Sequence, residues 1–408
     1  MNQPTDGGGG PERHQPTTGG PLLGQPPAGS TSDRCGGVRV LVLSQRGVEH
    51  ALAYTSWSEG EDVLISHGDA DLHLLASASA PVMRAREVVG RNVRRVTSAD
   101  VLLPPIAARG PRVEGSYDIA VAVLRTVWDL ATVEAVPGLR RAASCVAGWF
   151  PEAWPPELTD KVALHPFSLL DEIFVGEPRS AERLSALLGR PVHFLPLASD
   201  VVVFGDHVTR PATAATDQRR PIDVLNIGRR EPDLHAALVR WSRPSEHYYV
   251  FDTFTGASVT DRPAHRRALA DQLQRTSVAI SSYAKQGQAE TGGIRWISSR
   301  VFDNLASGTI LAGAPPEATA QQDLFGREVV HPLPEDPAAA VDVIAELVSS
   351  ASAAERTRNT CTAMAGHDWS HRWVELLETC QVAPSPALAE RAERLRRAAA
   401  ERRATPAR

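Results

Sequence analysis

The sequence predicts an α/β protein with two domains, and three observations lead to this fold class. The chain has 408 residues, which is more than one ordinary hydrophobic core covers, and 42% of them are hydrophobic. Residues 277–313 read as strand, polar loop, helix, turn and strand. Short, largely apolar runs elsewhere alternate with helical patterns, as in parallel sheets that are buried on both faces.

The segment 277–313 is the element around which the other predictions are arranged. Residues 278–280 form an apolar run, and Ser298 or Ser299 can cap a following helix. Gly308 suits the left-handed position at which helices commonly end, and residues 309–312 begin a second apolar run. A strand, a crossover helix and a second strand form a βαβ unit with parallel strands.

The start of this helix carries the chemistry that the pattern suggests. Arg295 and Arg300 lie at the helix start, and Asp303 follows one turn later. Unpaired N–H groups and a partial positive charge make helix N-termini favourable for phosphate. We therefore expect a diphosphate at the arginines and a ribose hydroxyl near Asp303. The alternative is a plain turn with Arg300 as a surface charge.

Composition narrows the function classes. The net charge of −5 argues against a general nucleic-acid binder. No apolar run reaches the length of a transmembrane helix, and the basic-then-apolar order of a signal peptide is missing. The cysteines have no C-x-x-C spacing, so they give neither a zinc site nor a disulfide framework, and a reduced cytoplasm is the default location. They are Cys35, Cys145, Cys361 and Cys380.

The chain divides into six predicted segments. The first is rich in Gly, Pro, Gln and Thr and has too little apolar content to order itself. The last is an Ala-Glu-Arg helix that is expected to be solvated. The segments are a disordered tail (1–34), a first α/β domain (35–204), a linker (205–220), a second α/β domain (221–368), a terminal helix (369–383) and a charged tail (384–408).

Three candidate site residues follow predicted strands of the first domain. Residues 38–43 form a strand that leads into Arg46 and Gly47, as at the start of a Rossmann-like domain, although no G-x-G-x-x-G fingerprint is present. Residues 63–66 are predicted as a second strand, followed by His67. Each of these three residues either faces a substrate or belongs to a structural turn or a solvated loop.

Glu152 is the candidate acceptor-side base. It lies among aromatic residues in a segment, 148–154, that is predicted as a loop after a strand at 142–147. The aromatic side chains either stack on an acceptor or cover the core.

The second domain opens with a strand, residues 221–226, that leads into Gly228, Arg229 and Arg230. A guanidinium group can bind two phosphate oxygens at once, so either arginine is a candidate diphosphate ligand. The alternative is a surface loop. Near the end of the domain, His367 and His371 have a spacing that could bind metal on one helix face, but packing or capping is the favoured interpretation.

Residues 300–309, Arg-Val-Phe-Asp-Asn-Leu-Ala-Ser-Gly-Thr, resemble the donor-site helix of glycosyltransferases with the GT-B fold. The resemblance is to group 1 enzymes, in the branch that includes CgeB-like proteins. Residues 324–326 and 367–372 resemble later motifs of that family in the right order. The resemblance spans roughly residues 221–377.

This resemblance implies a GT-B fold, with two Rossmann-like domains facing across a cleft. Residues 35–204 would form the acceptor domain and residues 221–368 the nucleotide-sugar domain, and the terminal helix at 369–383 would cross back to the first domain. It also implies hexosyl transfer from a nucleotide-diphosphate sugar, without a metal or another cofactor. Fixed donors would stabilise the diphosphate leaving group. The acceptor stays open among a small molecule, an envelope precursor and a protein. The candidate donor-site residues are Gly228, Arg229, Arg230, Arg300, Val301 and Asp303, the catalytic candidates are Glu152, Arg230 and Lys285, and the acceptor-cleft candidates are Arg46, Gly47 and His67.

One departure from the family pattern matters. Arg295 stands where many retaining relatives have an acid, which leaves retention or inversion open. A catalytically silent GT-B protein that binds a nucleotide or partners an active transferase is therefore the alternative hypothesis. A nicotinamide-dependent enzyme is disfavoured because no strand leads into the glycine fingerprint.

Overall fold

The computed structural model describes residues 37–47, 51–75, 111–159, 165–205, 220–243, 247–253 and 258–404. The chain separates into the units Met1–Gly37 and Val38–Arg408, and the description below concerns the second unit. The predicted tail 1–34 and residues 206–219 of the predicted linker lie outside the described residues.

The first domain is built on a six-stranded sheet in the order β2-β1-β3-β4-β5-β6, and every neighbouring pair is parallel. All five residues of β1 are buried, and alternate side chains enter two different core clusters. This is the burial expected of a central parallel strand with helices on both faces. The strands are β1 Val40–Ser44, β2 Ala70–Leu74, β3 Tyr117–Val123, β4 Ala143–Phe150, β5 Glu172–Val175 and β6 His193–Phe194.

The second domain contains a five-stranded parallel sheet in the order β11-β10-β9-β7-β8. Val278 of β9 pairs in parallel with Ile310 of β10, which confirms the predicted βαβ unit. The two parallel sheets also confirm the predicted class of two Rossmann-like domains. The strands are β7 Ile222–Asn226, β8 Tyr249–Phe251, β9 Thr276–Ser281, β10 Ile310–Gly313 and β11 His331–Pro332.

Helices cover both sheets. Those before the linker are α1 Thr55–His67, α2 Leu130–Glu134, α3 Leu139–Ala142, α4 Pro178–Leu188 and α5 Val201–Phe204. Those after it are α6 Pro232–Ser242, α7 Arg262–Gln274, α8 Arg300–Ala306, α9 Thr319–Phe325, α10 Pro337–Ser350, α11 Ala353–Gly366, α12 Trp369–Thr379 and α13 Pro386–Ala404. Within the described ranges, no individual helix is long and apolar enough to cross a membrane, and only α10 and α11, bent by 94°, pass that test as a pair.

The helix α12, at the position of the predicted crossing helix, packs against the first domain. The indole N–H of Trp373 donates to the carbonyl of Gly60, 2.7 Å away. Trp149 of β4 makes edge-on contacts with Trp369 and Trp373, each with ring centroids 5.7 Å apart. All three tryptophans are fully buried. Helix α12 therefore forms part of the first domain's core.

Two predictions about elements of the first domain are wrong. Residues 63–66 belong to helix α1, and the second strand begins at Ala70. A run of four apolar residues fits a buried helix face as well as a strand, and here Val63 and Leu64 fill that face. Residues 148–150 are the buried end of β4, and are not in a loop. Their aromatic side chains fill the core.

The expectation of a solvated charged tail is also wrong for the residues that form α13. Leu388, Ala392, Leu395 and Ala399 recur at intervals of three or four residues and are buried. This narrow stripe is easily missed among charged residues, but it matches one helix face. Through this stripe, α13 packs into two hydrophobic clusters, one shared with α11 and the other with α12.

Candidate functional site

A cluster of polar side chains lies at the carboxyl edge of the second sheet. Gly228 follows β7, Asp252 follows β8 and Ser282 follows β9, so three adjacent strands deliver residues to one edge. Open parallel sheets bind ligands at this edge. Arg300, the first residue of α8, reaches it from the crossover. Its Nη1 donates to the carbonyl of Ile227 at 3.0 Å, and its Nη2 to Ser282 Oγ at 3.4 Å.

Gly228 allows Arg300 to approach the loop. Its φ is +82°, and a Cβ there would lie 2.1 Å from Arg300 Nη1. Its N–H donates to Asp252 Oδ2 at 2.9 Å, which holds the loop against β8. Any side chain at this position would meet both backbone strain and a clash.

Arg300 has no carboxylate among its hydrogen-bond acceptors in the described part of the chain. Its Nε is buried without a hydrogen-bond partner there, and burial lowers the pKa of its guanidinium. Ser298 Oγ and Asn304 Oδ1, which flank it along the chain, are also buried without partners. Buried polar atoms normally have hydrogen-bond partners, so these three unpaired atoms are available to form hydrogen bonds with a ligand.

Arg229 and Arg230 differ in their surroundings. Arg230 bonds to the carboxylate and the carbonyl of Asp252 and lies over the Phe251 ring, 5.6 Å from its centroid. Arg229 is exposed, and its Nη1 donates to the carbonyl of Gln286 at 2.8 Å. Arg230 is thus held by an acid, while Arg229 extends over the loop after β9.

Lys285 and Glu152 meet across the two domains. Lys285 Nζ lies 2.9 Å from Glu152 Oε2 and 2.7 Å from Glu290 Oε1. Burial opposes the charge of Lys285, but the two carboxylates outweigh it and raise its pKa. An edge-on contact between Phe194 and Trp296, with centroids 5.8 Å apart, also joins the domains. The loop after β9 therefore closes onto the first domain.

Asp303 is engaged in a buried ion network that joins the domains. Its Oδ2 accepts from Arg266 Nη1 at 2.9 Å, and its Oδ1 from Arg266 Nη2 at 2.6 Å and Ser199 Oγ at 2.8 Å. Arg266 also binds Glu59 of α1 through Nε at 2.9 Å and Nη2 at 3.0 Å. Trp369 donates to the same Glu59. In the described structure, both carboxylate oxygens of Asp303, the residue expected to contact a ribose hydroxyl, are therefore already hydrogen-bonded to protein side chains.

The remaining donor-site candidate, Val301, lies with its side chain in the core of the second domain. Only its backbone faces the start of α8, where its N–H donates to the carbonyl of Ser298 at 3.1 Å.

The acceptor-cleft candidates do not form one group. Arg46 binds Glu61 and Asp62 and lines a small pocket of about 20 Å³, and the adjacent Gly47 ends the short 3-10 turn at Gln45–Gly47. His67 ends α1, and its Nε2 lies 3.0 Å from Arg391 Nη1, away from that pocket. The pocket is lined by Gln45, Arg46, Tyr54, Trp57, Ser58, Glu61 and Val123.

Sequence reasoning missed several partners of this site. Asp252 directly follows a strand that was predicted, so the rule that sites lie at carboxyl ends could have found it. Arg266 and Glu59 lie inside helices and carry no local signal. Ser282 and Glu290 lie in a loop without a periodic pattern.

Within the described ranges, no three or more His, Cys, Asp or Glu side chains are placed to hold a metal ion together. The candidate histidines have packing partners. His367 Nε2 lies 2.9 Å from the carbonyl of Leu324, and His371 Nε2 lies 3.0 Å from that of Met364. Burial lowers the pKa of His367 to about 3, which keeps it neutral.

No protein-family model matches the sequence, and comparison with curated proteins gives no match. Solved structures show a low similarity to this chain. The N-terminal domain of Candida albicans trehalose-6-phosphate phosphatase has 10% identity and a TM-score of 0.48, covering 86% of this chain and 98% of its own. An alpha-glucosyltransferase in complex with UDP-glucose and DNA has 11% identity and a TM-score of 0.47, covering 84% and 99%.

A third similar structure is a putative UDP-N-acetylglucosamine 2-epimerase from Listeria monocytogenes. It has 8% identity and a TM-score of 0.46, covering 85% of this chain and 96% of its own. Similarity at this level assigns no activity to the chain.

Proposed function

We propose that this protein is a metal-independent glycosyltransferase that moves a hexosyl group from a nucleoside-diphosphate sugar to an acceptor. The acceptor class, which can be a small molecule, an envelope precursor or a protein, stays open. The sequence resemblance of residues 300–309 to a GT-B donor-site helix supports the proposal. The geometry of Arg300 carries it.

The decisive observation is a guanidinium group at the carboxyl edge of the second sheet that, within the described ranges, has no carboxylate among its hydrogen-bond acceptors. Arg300 lies under Gly228 with an unpaired buried Nε. The arginine fork fits two oxygens of a diphosphate, and Arg229 stands at the same loop. A diphosphate would give Arg300 a directly bonded anion, since Asp252 and Asp303, the acids that attract it, are paired with Arg230 and Arg266.

The reaction requires the bond between the anomeric carbon and the diphosphate to break as an acceptor oxygen attacks that carbon. Arg300, Arg229, Arg230 and Lys285 would stabilise the charge that develops on the leaving diphosphate. A diphosphate near Lys285 would compete with Glu152 for its ammonium group. Glu152, freed from that ion pair, would be able to take the proton from the acceptor hydroxyl.

The first experiment is a thermal-shift titration with UDP, GDP, ADP, TDP and CMP, with and without EDTA. The variant Arg300→Ala removes the proposed ligand. The matched control is Arg358→Ala, because Arg358 is a 64% exposed arginine on α11. A ligand that binds the native state raises its apparent stability with the logarithm of saturation.

We expect one nucleoside diphosphate to raise the Tm of the wild type and of Arg358→Ala, in EDTA as well, and to have little effect on Arg300→Ala. Hydrolysis or transfer of the matching nucleotide sugar then measures turnover. A Tm rise that persists in Arg300→Ala would refute the assigned site. The absence of a response to every nucleotide would refute the transferase proposal.

A catalytically silent GT-B protein is the second candidate, and two ion pairs favour it. The candidate base Glu152 is tied to Lys285, and Arg295, in place of the family's acid, is paired with Glu317 at 2.8 Å. Nucleotide binding without any turnover of the nucleotide sugar would select this candidate.

A further inference from the structure

Strand β4 and helix α12 lie against each other along one face, with a cysteine on each. Cys145 and Trp149 are four residues apart in β4, so they project to the same side of the sheet. Trp369, Trp373 and Cys380 follow one face of α12 at helical spacing. All five side chains contact the same apolar cluster.

The spacing brings the two thiols together at one end of this contact. Trp373 packs on Trp149 with ring centroids 5.7 Å apart. From Trp373 to Cys380 a helix rises about 10 Å, and from Trp149 back to Cys145 a strand spans about 13 Å.

The backbone N–H of Trp369 donates to the carbonyl of Ser199, and Arg372 Nε donates to that of Pro196 at 3.1 Å. Helix α12 therefore runs back along the segment that follows β6, opposite in direction to the parallel strands β4, β5 and β6, and both paths end at the same place. The two thiols accordingly lie close enough for each to affect the pKa of the other.

From this juxtaposition we infer that Cys145 and Cys380 form a dithiol modification site, which low-molecular-weight disulfides oxidise to an intramolecular disulfide. Both thiols are free and only partly buried, so a small oxidant can reach them. Cys361, by contrast, is fully buried in α11. The cysteine spacing in the sequence gave no sign of this pair.

The reaction balances with glutathione disulfide as the oxidant. The Cys145 thiolate attacks one glutathione sulfur, which forms a mixed disulfide and releases one glutathione thiolate. Cys380 then loses its proton and attacks the Cys145 sulfur, which releases the second glutathione. The protein loses two thiol hydrogens and two electrons, and the oxidant becomes two molecules of reduced glutathione.

The surroundings favour Cys145 as the attacking sulfur. The neighbouring Cys380 thiol lowers the pKa of Cys145, against the effect of burial. The same contact raises the pKa of Cys380, which keeps its proton until the second step. Thiolate character decides which thiol reacts first.

A disulfide here would fasten the end of α12 to the first sheet. The chain between the two cysteines includes the whole second domain, so the link closes a very long loop. Cross-links over long loops restrict the unfolded chain most, which raises stability. This inference does not depend on the proposed function.

The test oxidises the full-length protein with glutathione disulfide, blocks the remaining thiols with N-ethylmaleimide and maps the disulfides by peptide mass spectrometry. All proteins carry Cys35→Ser, because Cys35 lies outside the described residues. The variants are Cys145→Ser and Cys380→Ser, and Cys361→Ser is the matched control. Circular dichroism establishes that each variant is folded.

We expect a cross-linked peptide pair that contains Cys145 and Cys380 in the parent and in Cys361→Ser, and none in the other two variants. Oxidation should raise the Tm of the parent and of Cys361→Ser by several degrees, and should leave the Tm of Cys145→Ser unchanged. Separate glutathione adducts on Cys145 and Cys380, or two unmodified thiols in the folded parent, would overturn the inference.

Discussion

The buried network of Arg266 yields the most specific prediction about stability. One guanidinium serves two carboxylates, Glu59 from the first domain and Asp303 from the second. Arg266, Glu59 and Asp303 are 5%, 7% and 2% exposed, respectively. The substitution Arg266→Met removes the only cation of this trio and keeps much of the side-chain volume.

The expected loss in the free energy of unfolding depends on which charged groups each variant leaves buried without a partner. Arg266→Met leaves two buried carboxylates without their counter-ion, and breaking a buried ion pair from one side costs about 3–5 kcal/mol. Asp303→Asn removes one of two acids and leaves a balanced Glu59–Arg266 pair. Its cost is set by weakened hydrogen bonds to a charged group, about 1.5–3 kcal/mol. The order of the two variants is therefore predicted along with their size.

Urea unfolding followed by tryptophan fluorescence measures these changes, because Trp369 is buried and donates to Glu59. The matched control is Arg267→Met, since Arg267 is the next residue of α7 and is exposed. It should change the free energy of unfolding by less than about 0.5 kcal/mol. Equal effects of Arg266→Met and Arg267→Met, or a larger loss in Asp303→Asn than in Arg266→Met, would refute the reasoning.

Two further predictions concern Glu59 and Gly228. Burial, only partly offset by Arg266, raises the pKa of Glu59 from 4.5 to about 7, so the folded protein holds a proton that the unfolded chain releases in this window. The stability from this proton is present below pH 4.5 and is lost as the pH rises to about 7. Urea unfolding of Glu59→Gln across this window should lack that decline, and an unchanged pH profile would contradict the assignment. Gly228→Ala should lower the Tm and abolish the nucleotide-induced Tm shift, because its Cβ would strike Arg300. Gly287→Ala has a similar φ of +77° with open space around its Cβ, so it should keep the nucleotide response, and loss of that response in both variants would contradict the role given to the contact.

Local patterns in the sequence were sufficient for most of the second domain. The βαβ unit around α8, the strand before Gly228 and the helix end at Gly308 all depend on apolar runs and glycine conformations that neighbouring residues decide. The φ of +64° at Gly308 is the left-handed conformation expected after a helix. Such features can be predicted because their causes lie within a few residues.

Elements with a short or diluted apolar pattern were less predictable. The four-residue run at 63–66 matches both a strand and the buried face of α1, and only packing selects the helix. The stripe of α13 is spread among arginines and glutamates, so its burial depends on the surface that α11 and α12 offer. Composition alone suggested that this helix would be solvated.

The sequence by itself therefore determined the α/β class, the two-sheet plan and the glycine-arginine loop that became the candidate site. Only the tertiary structure decided which charges meet. Glu59 and Arg266 are separated by 207 residues, and Glu152, Lys285, Cys145 and Cys380 likewise find their partners in distant segments. A pairing over such distances leaves no trace in local periodicity, because it depends on how two finished domains and the returning helix α12 pack together.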